Sequence, residues 1–155
     1  MNARPLLERL ARALATRRLD VVLVGNAAAA LQGAPVTTLD FDFMFRKTSG
    51  SLRKLRAVAQ DLGAMLLTPY YPASELFRLV NDDTGLQADF MPRLDGVRSF
   101  ESLRARASPA TLGDTRLLVA DLRDVIRSKR AAGRARDRAV LPILEATLRE
   151  KGTAG

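Results

Sequence analysis

The sequence predicts an α+β fold: a mixed β-sheet with flanking helices and a C-terminal helical segment. Two observations carry this. Apolar runs of strand length are interspersed with longer stretches whose apolar residues recur at helical spacing. From about residue 121 to 150 the spacing is helical alone. The chain has 155 residues, enough for one domain with a substantial core, and shows no internal repeat, linker or low-complexity block. A single domain over residues 1–155 is therefore expected.

Residues 5–15 place Leu6, Leu7, Leu10 and Leu14 at helical spacing, with Pro5 suited to a first helical turn. Residues 19–24 form a valine-rich run with the signature of a buried strand. Gly25-Asn26 ends that run. Residues 27–31 predict a short, tightly packed helix closed by Gly33. A loop over 35–38 leads into Leu39-Asp40-Phe41-Asp42-Phe43-Met44-Phe45, where a period of two predicts a strand. Leu39, Phe41, Phe43 and Phe45 then share one face, and Asp40 and Asp42 the other. After a turn at 47–50, residues 51–62 predict a helix with Leu52, Leu55, Val58 and Leu62 on one stripe, followed by a strand at 64–67. Residues 76–80 and 86–91 predict a hairpin around Asn81-Asp82-Asp83-Thr84-Gly85. Ser99 suits the cap of a short helix reaching Arg106, and 115–119 predict another strand. Residues 121–132 predict a helix with Leu122, Val125 and Ile126 facing inward. A last helix, from about 134 to 149, is expected to kink or restart at Pro142, and a frayed tail is expected over 151–155.

Composition removes several kinds of chemistry. There is no cysteine, which excludes disulfides and thiolate metal sites. There is no histidine, which excludes Ser-His-Asp catalysis and the commonest zinc ligand. Any reaction rests on Asp, Glu, Lys, Arg, Tyr or hydroxyl groups, and carboxylate-held Mg²⁺ passes this filter. The net charge of +8 favours anionic partners such as nucleotides, RNA, DNA or an acidic protein. No apolar run approaches membrane-spanning length, and the N-terminus does not read as a signal sequence, so a cytoplasmic location is expected.

Asp40 and Asp42, two residues apart on one face of a short strand, repel each other unless a positive charge lies between them. A hard divalent cation fits carboxylate oxygens, whereas an edge strand with an acidic solvated face is the plain alternative. In Leu86-Gln87-Ala88-Asp89-Phe90-Met91, the apolar alternation turns Asp89 to the face opposite the core. If this strand pairs beside the acidic one, three carboxylates converge, as a Mg²⁺ site for phosphoryl or nucleotidyl transfer requires. Upstream, Gly25-Asn26 stands where a strand passes into a helix, a place where free N–H groups favour a phosphate; Asn26 also suits an ordinary helix cap. Lys129 lies at the edge of the buried stripe formed by Val125 and Ile126, where it either reaches solvent or meets an anion.

The segment Val24-Gly25-Asn26-Ala27-Ala28-Ala29-Ala30-Leu31-Gln32-Gly33, followed by Thr38-Leu39-Asp40-Phe41-Asp42, resembles the opening signature of the nucleotidyltransferase superfamily with the DNA-polymerase-β-like fold. The spacer between the two motifs is similar to that of small bacterial nucleotidyltransferase-like proteins, including toxin components of toxin–antitoxin and abortive-infection systems. The run Asp121-Leu122-Arg123-Asp124-Val125-Ile126-Arg127-Ser128-Lys129, with Gly133-Arg134 and Asp137, is similar to the group's C-terminal helical signature. The resemblance implies a nucleotidyltransferase-like fold using Mg²⁺ and an NTP. It assigns nucleotide binding to Gly25, Asn26, Thr38 and Lys129, and the metal to Asp40, Asp42 and Asp89. It also implies that Asp89 helps activate the attacking hydroxyl and that Lys129 neutralises the triphosphate. Asn26 departs from the family's usual Gly or Ser, and Val36 stands where related members often carry Arg. Arg134 and Asp137 suit a local ion pair as well as a catalytic role.

Three functions follow as expectations. The first is Mg²⁺-dependent transfer of an NMP to a hydroxyl acceptor, whether RNA, protein or small molecule. The second is a nucleotide- or partner-binding module of a toxin–antitoxin or defence system with weak or no catalysis. The third is a basic nucleic-acid-binding protein, suggested by arginines at 104, 106, 116, 123, 127, 130, 134, 136 and 138. The positive balance argues against a polycationic acceptor such as an aminoglycoside.

Overall fold

A mixed sheet of seven strands organises the computed structural model, which describes residues 3–70 and 74–154. In chain order the elements are α1 (Arg4–Thr16), β1 (Val21–Val24), α2 (Gly25–Leu31), β2 (Asp40–Phe45), α3 (Ser49–Asp61), β3 (Met65–Leu67), β4 (Phe77–Asn81), β5 (Leu86–Met91), α4 (Phe100–Arg106), β6 (Ser108–Leu112), β7 (Thr115–Val119), α5 (Leu122–Ala132) and α6 (Ala135–Ala154). The strands lie in the order β3-β4-β5-β2-β1-β7-β6. Two parallel pairings, β2 with β5 and β1 with β7, sit among antiparallel ones, which makes the sheet mixed as the sequence predicts. Helices α1 and α3 pack together, α2 lies on β1 and β2 and meets α5, and α6 runs against α5.

Burial explains the central strands. All four residues of β1 are buried, as expected of an apolar strand covered on both faces. In β2 and β5, Phe43 stacks on Phe90 with ring centroids 5.0 Å apart, and Phe45 meets Phe77 and Phe90 edge-on. These rings bury large apolar areas and hold the register of the central strands. Helix starts follow local chemistry. Thr48 accepts the Ser51 N–H, Asp121 accepts the Arg123 N–H, and Ser99 and Ser102 cap each other reciprocally at the start of α4. Gly133 ends α5 in the left-handed conformation, φ 63°.

Three local expectations change, and one strand, β6, was not expected. Leu39 is 62% exposed and not on the core face, because the ladder with β5 begins at Asp40 and the chain bends just before it. Strand β6 carries Pro109 and weak apolar alternation, and it stands at the sheet edge where a missing N–H is tolerated. Helix α6 runs unbroken through Pro142, held against α5 by buried Leu144. It continues to Ala154, so the tail is helical over 151–154; Gly155 lies outside the described residues. Among the described residues no helix is long and apolar enough to cross a membrane.

Pro142 is exposed and has no N–H to give the Arg138 carbonyl, so it lowers helix stability with no compensating core contact. Pro142→Ala is expected to stabilise the protein by about 1–3 kcal/mol, as measured by urea unfolding.

Candidate active site

Strand β2 is interior, between β5 and β1, which removes the acidic-edge alternative for Asp40 and Asp42. The parallel β2–β5 register sets Asp42 opposite Asp89 and Asp40 opposite Gln87. The antiparallel β4–β5 register sets Arg78 opposite Asp89 on its other side. Arg78, Asp89 and Asp42 thus occupy facing positions on three adjacent strands. Arg78 donates from Nε to Asp89 Oδ1 at 2.7 Å and from Nη2 to Oδ2 at 3.1 Å. Asp89 is almost fully buried, whereas Arg78 is 40% exposed. Among the described residues no three acidic side chains gather closely enough to hold an ion between them.

Thr38 shapes the entry to β2. Its hydroxyl accepts the Asp40 N–H at 3.2 Å and donates to the Asp40 carbonyl at 2.8 Å, which fixes the start of the strand. Opposite, α2 begins at Gly25 with Val24 as its cap and no side-chain capping bond. Asn26 lies inside the first turn, so the ordinary-cap alternative does not hold. Gly25 has φ +67°, and a Cβ there would lie 2.9 Å from Asp42 Oδ2. Only glycine lets the backbone approach that carboxylate so closely. Asn26 Oδ1 is buried with no hydrogen-bond partner among the described residues. A buried polar atom of this kind costs about 1–3 kcal/mol unless a ligand or water satisfies it.

Lys129, on α5, is 13% exposed and lies 3.6 Å from Asp137. Arg134 pairs with the same carboxylate at 2.6 Å, so Asp137 ties α6 to the end of α5. Burial pulls the Lys129 ammonium below its ordinary value, and the charges of Asp137 and Asp42 partly offset this. Asp42 is pushed up to about 6, first by burial and then by the charges of Asp89 and Asp40; Lys129 and Arg136 act in the opposite sense.

Two adjoining cavities, of about 690 and 250 Å³, meet here, and Asp42, Arg78, Asp89, Lys129, Arg134 and Arg136 line both. Asn26, Thr38 and Asp40 line the smaller one and Gly25 the larger. The structure thus sets the residues singled out from the sequence around these two cavities. The expected convergence of Asp40, Asp42 and Asp89 into one three-carboxylate cluster is not formed among the described residues, because Asp40 stands opposite Gln87 and Asp89 is held by Arg78. Arg78 was not singled out from the sequence, and Arg136 stood there only among the basic residues of the nucleic-acid-binding reading. Arg78 was accessible in principle, because pairing Asn81 with Leu86 across the hairpin sets 78 opposite 89. Arg136 carries no local signal that separates it from its neighbouring arginines. Many of the C-terminal cations are already paired with acids, including Arg104 with Asp20, Arg106 and Arg127 with Asp124, and Arg130 with Glu145. They do not form a free basic stripe.

The donor set suits a hard cation. Its oxygens come from carboxylates, the Asn26 amide and the Thr38 hydroxyl, and Mg²⁺ is commonly held by one or two carboxylates when phosphates and water supply the rest. Asp40 and Asp42 lie on one face of β2 and line the smaller cavity together.

No family model and no curated protein matches the sequence. Solved structures do match in three dimensions. A Thermotoga maritima protein described as a nucleotidyltransferase superposes with a TM-score of 0.64 at 15% identity, over 89% of each chain. ANT(2'')-Ia in complex with adenylyl-2''-tobramycin gives 0.64 at 15% identity, over 94% of this chain and 88% of that one. The lincosamide antibiotic adenylyltransferase LnuA, lincomycin-bound, gives 0.61 at 11% identity, over 86% and 90%. The chain has the nucleotidyltransferase fold.

The Asp42 environment has a consequence for stability. In the metal-free protein the folded state retains this proton to a higher pH than the unfolded chain does. Stability therefore falls as pH rises from about 4 through about 6. Asp42→Asn removes the penalty, and its gain in urea-unfolding free energy is expected to be on the order of 2 kcal/mol at pH 8 and near zero at pH 4.

Proposed function

We propose that this protein is a Mg²⁺-dependent nucleotidyltransferase that moves an NMP from an NTP to a hydroxyl acceptor. The observation that carries the reading is the β2–β5 register, which sets Asp42 beside Asp89 with Gly25 and Lys129 lining the same cavity. The fold shared with the adenylyltransferases above supports it. The backbone N–H groups at Gly25 and Asn26 face the phosphates, where the helix start favours an anion. The Asn26 amide offers a further polar contact in the same place. Lys129 and Arg136 offset triphosphate charge. Asp40 and Asp42 would hold the cation, which when bound neutralises phosphate charge and polarises the α-phosphorus.

The acceptor oxygen attacks the α-phosphorus, the bond to the bridging oxygen breaks, and pyrophosphate leaves. Asp89 takes the acceptor proton. The larger cavity is within the size range of small-molecule sites, and Leu76, Met91, Leu94 and Val97 give it an apolar wall. Arg93 and Arg98 at the same cavity favour an acceptor without strong positive charge, such as RNA, a partner protein or a neutral small molecule. Dependence on NTP fits a cytoplasmic enzyme.

The occupied Asp89 and the presence of Asn26 favour a second reading, a nucleotide- or partner-binding module that does not turn over, of the kind found in toxin–antitoxin pairs. Calorimetry with each NTP and Mg²⁺ separates the two: binding with no product on RNA, protein or small-molecule acceptors supports the module.

Incubation with α-labelled NTP, Mg²⁺ and acceptor is expected to give labelled product. Asp40→Ala and Asp42→Ala are expected to lower that labelling at least about a hundredfold while the far-ultraviolet circular dichroism stays native. Equal labelling by both variants and the parent protein rules this mechanism out.

A further inference from the structure

The third acid is engaged in this structure. Both oxygens of Asp89 are held by the Arg78 guanidinium, at 2.7 and 3.1 Å. The pair is built in by register, since Arg78 and Asp89 are directly opposed across β4 and β5. The contact is bidentate and one partner is almost wholly buried, the geometry in which an arginine–carboxylate pair is strongest. A carboxylate so held has little capacity left to coordinate a cation. This agrees with the absence of a three-acid cluster among the described residues.

Arg78 is also placed to leave. Its side chain is 40% exposed, and it lines both cavities together with Asp42 and Lys129. A cation entering beside Asp42 repels the guanidinium and attracts the Asp89 carboxylate. An incoming phosphate or acceptor anion offers the guanidinium a new partner at the cavity wall. Both effects act in the same direction on a single pair.

Resting on the nucleotidyl-transfer reading, we propose that Arg78 is a latch on Asp89. It occupies the third carboxylate and surrenders it when metal and nucleotide enter. Arg78 is thus a positioning residue that acts through Asp89. It keeps the site from presenting three bare carboxylates to free cations, and it couples the arming of Asp89 to the arrival of substrate.

Binding of Mn²⁺ alone, followed by electron paramagnetic resonance at pH 7.5, tests this without reference to turnover. Arg78→Met is expected to tighten Mn²⁺ binding about tenfold, because Asp89 becomes a free ligand. A general gain from losing a positive charge would persist when Asp89 is neutral. The Arg78→Met/Asp89→Asn double variant is therefore compared with Asp89→Asn: no gain in that pair supports the latch, and a tenfold gain there overturns it. Equal Mn²⁺ affinity in Arg78→Met and the parent also overturns it. A second measurement needs no change at the site. The ¹⁵N signal of Arg78 Nε–H, assigned by its loss in Arg78→Lys, is expected to shift when Mg²⁺ and a non-hydrolysable NTP analogue saturate the parent protein. A signal that stays fixed while the analogue binds overturns the latch and leaves nucleotidyl transfer standing. Failure of the parent and of Arg78→Met to bind either Mn²⁺ or analogue overturns the transfer reading and the latch together.

Discussion

Like charges held side by side on one sheet face, from exposed Asp40 to buried Asp89, are the constraint on which the site depends. Parallel pairing of β2 with β5 puts Asp42 next to Asp89, and the strand period puts Asp40 on the same face. In a protein selected for stability alone such an arrangement would be costly, because carboxylates out of water repel strongly. Each available compensation is a nearby cation. Arg78 takes Asp89, and Lys129 and Arg136 act on Asp42 from the side of the C-terminal helices. Burial, and then the charges of Asp89 and Asp40, leave Asp42 raised despite these cations.

The rest of the architecture serves this arrangement. The stacked phenylalanines beneath β2 and β5 hold the register that opposes the acids. Gly25 lets the backbone at the start of α2 close on Asp42 without a Cβ in the way. Asp137, shared between Lys129 and Arg134, holds the lysine on the wall of the cavity and ties α6 to α5. Lysine in that setting stands near two carboxylates at once, which limits how far burial can lower its affinity for a proton. Removing one of these contacts therefore reaches the site through packing as well as through charge.

The same geometry separates this chain from a plain anion-binding surface. Its positive balance is large, yet Arg104, Arg106, Arg123, Arg127, Arg130 and Arg134 are paired with acids. Paired arginines hold helices and strands together and present little free charge to a phosphate backbone. At the two cavities Arg78 binds Asp89, Lys129 and Arg136 act on Asp42, and Arg134 is taken by Asp137.

Strand and helix periodicities were readable from the residues, since alternation in 39–45 and 86–91 dictates which face each aspartate takes once those strands exist. The absence of histidine and cysteine left Asp, Glu, Lys, Arg, Tyr and hydroxyl groups to carry any chemistry. Pro109 masked β6 because an edge strand needs fewer donors, and Pro142 suggested a break that packing against α5 overrides. Register was the part that local pattern left open. Whether β4 takes in Asn81 decides if residue 78 or a neighbour faces Asp89, and it is settled by the Asn81 side chain, which accepts the Asp83 N–H in the turn. The spacing of acids along the chain was thus a property of the sequence. Their neighbours, and so the raised Asp42 and the arginine that restrains Asp89, came from which strands lie side by side, because hydrogen-bonded pairing joins residues that no local period relates.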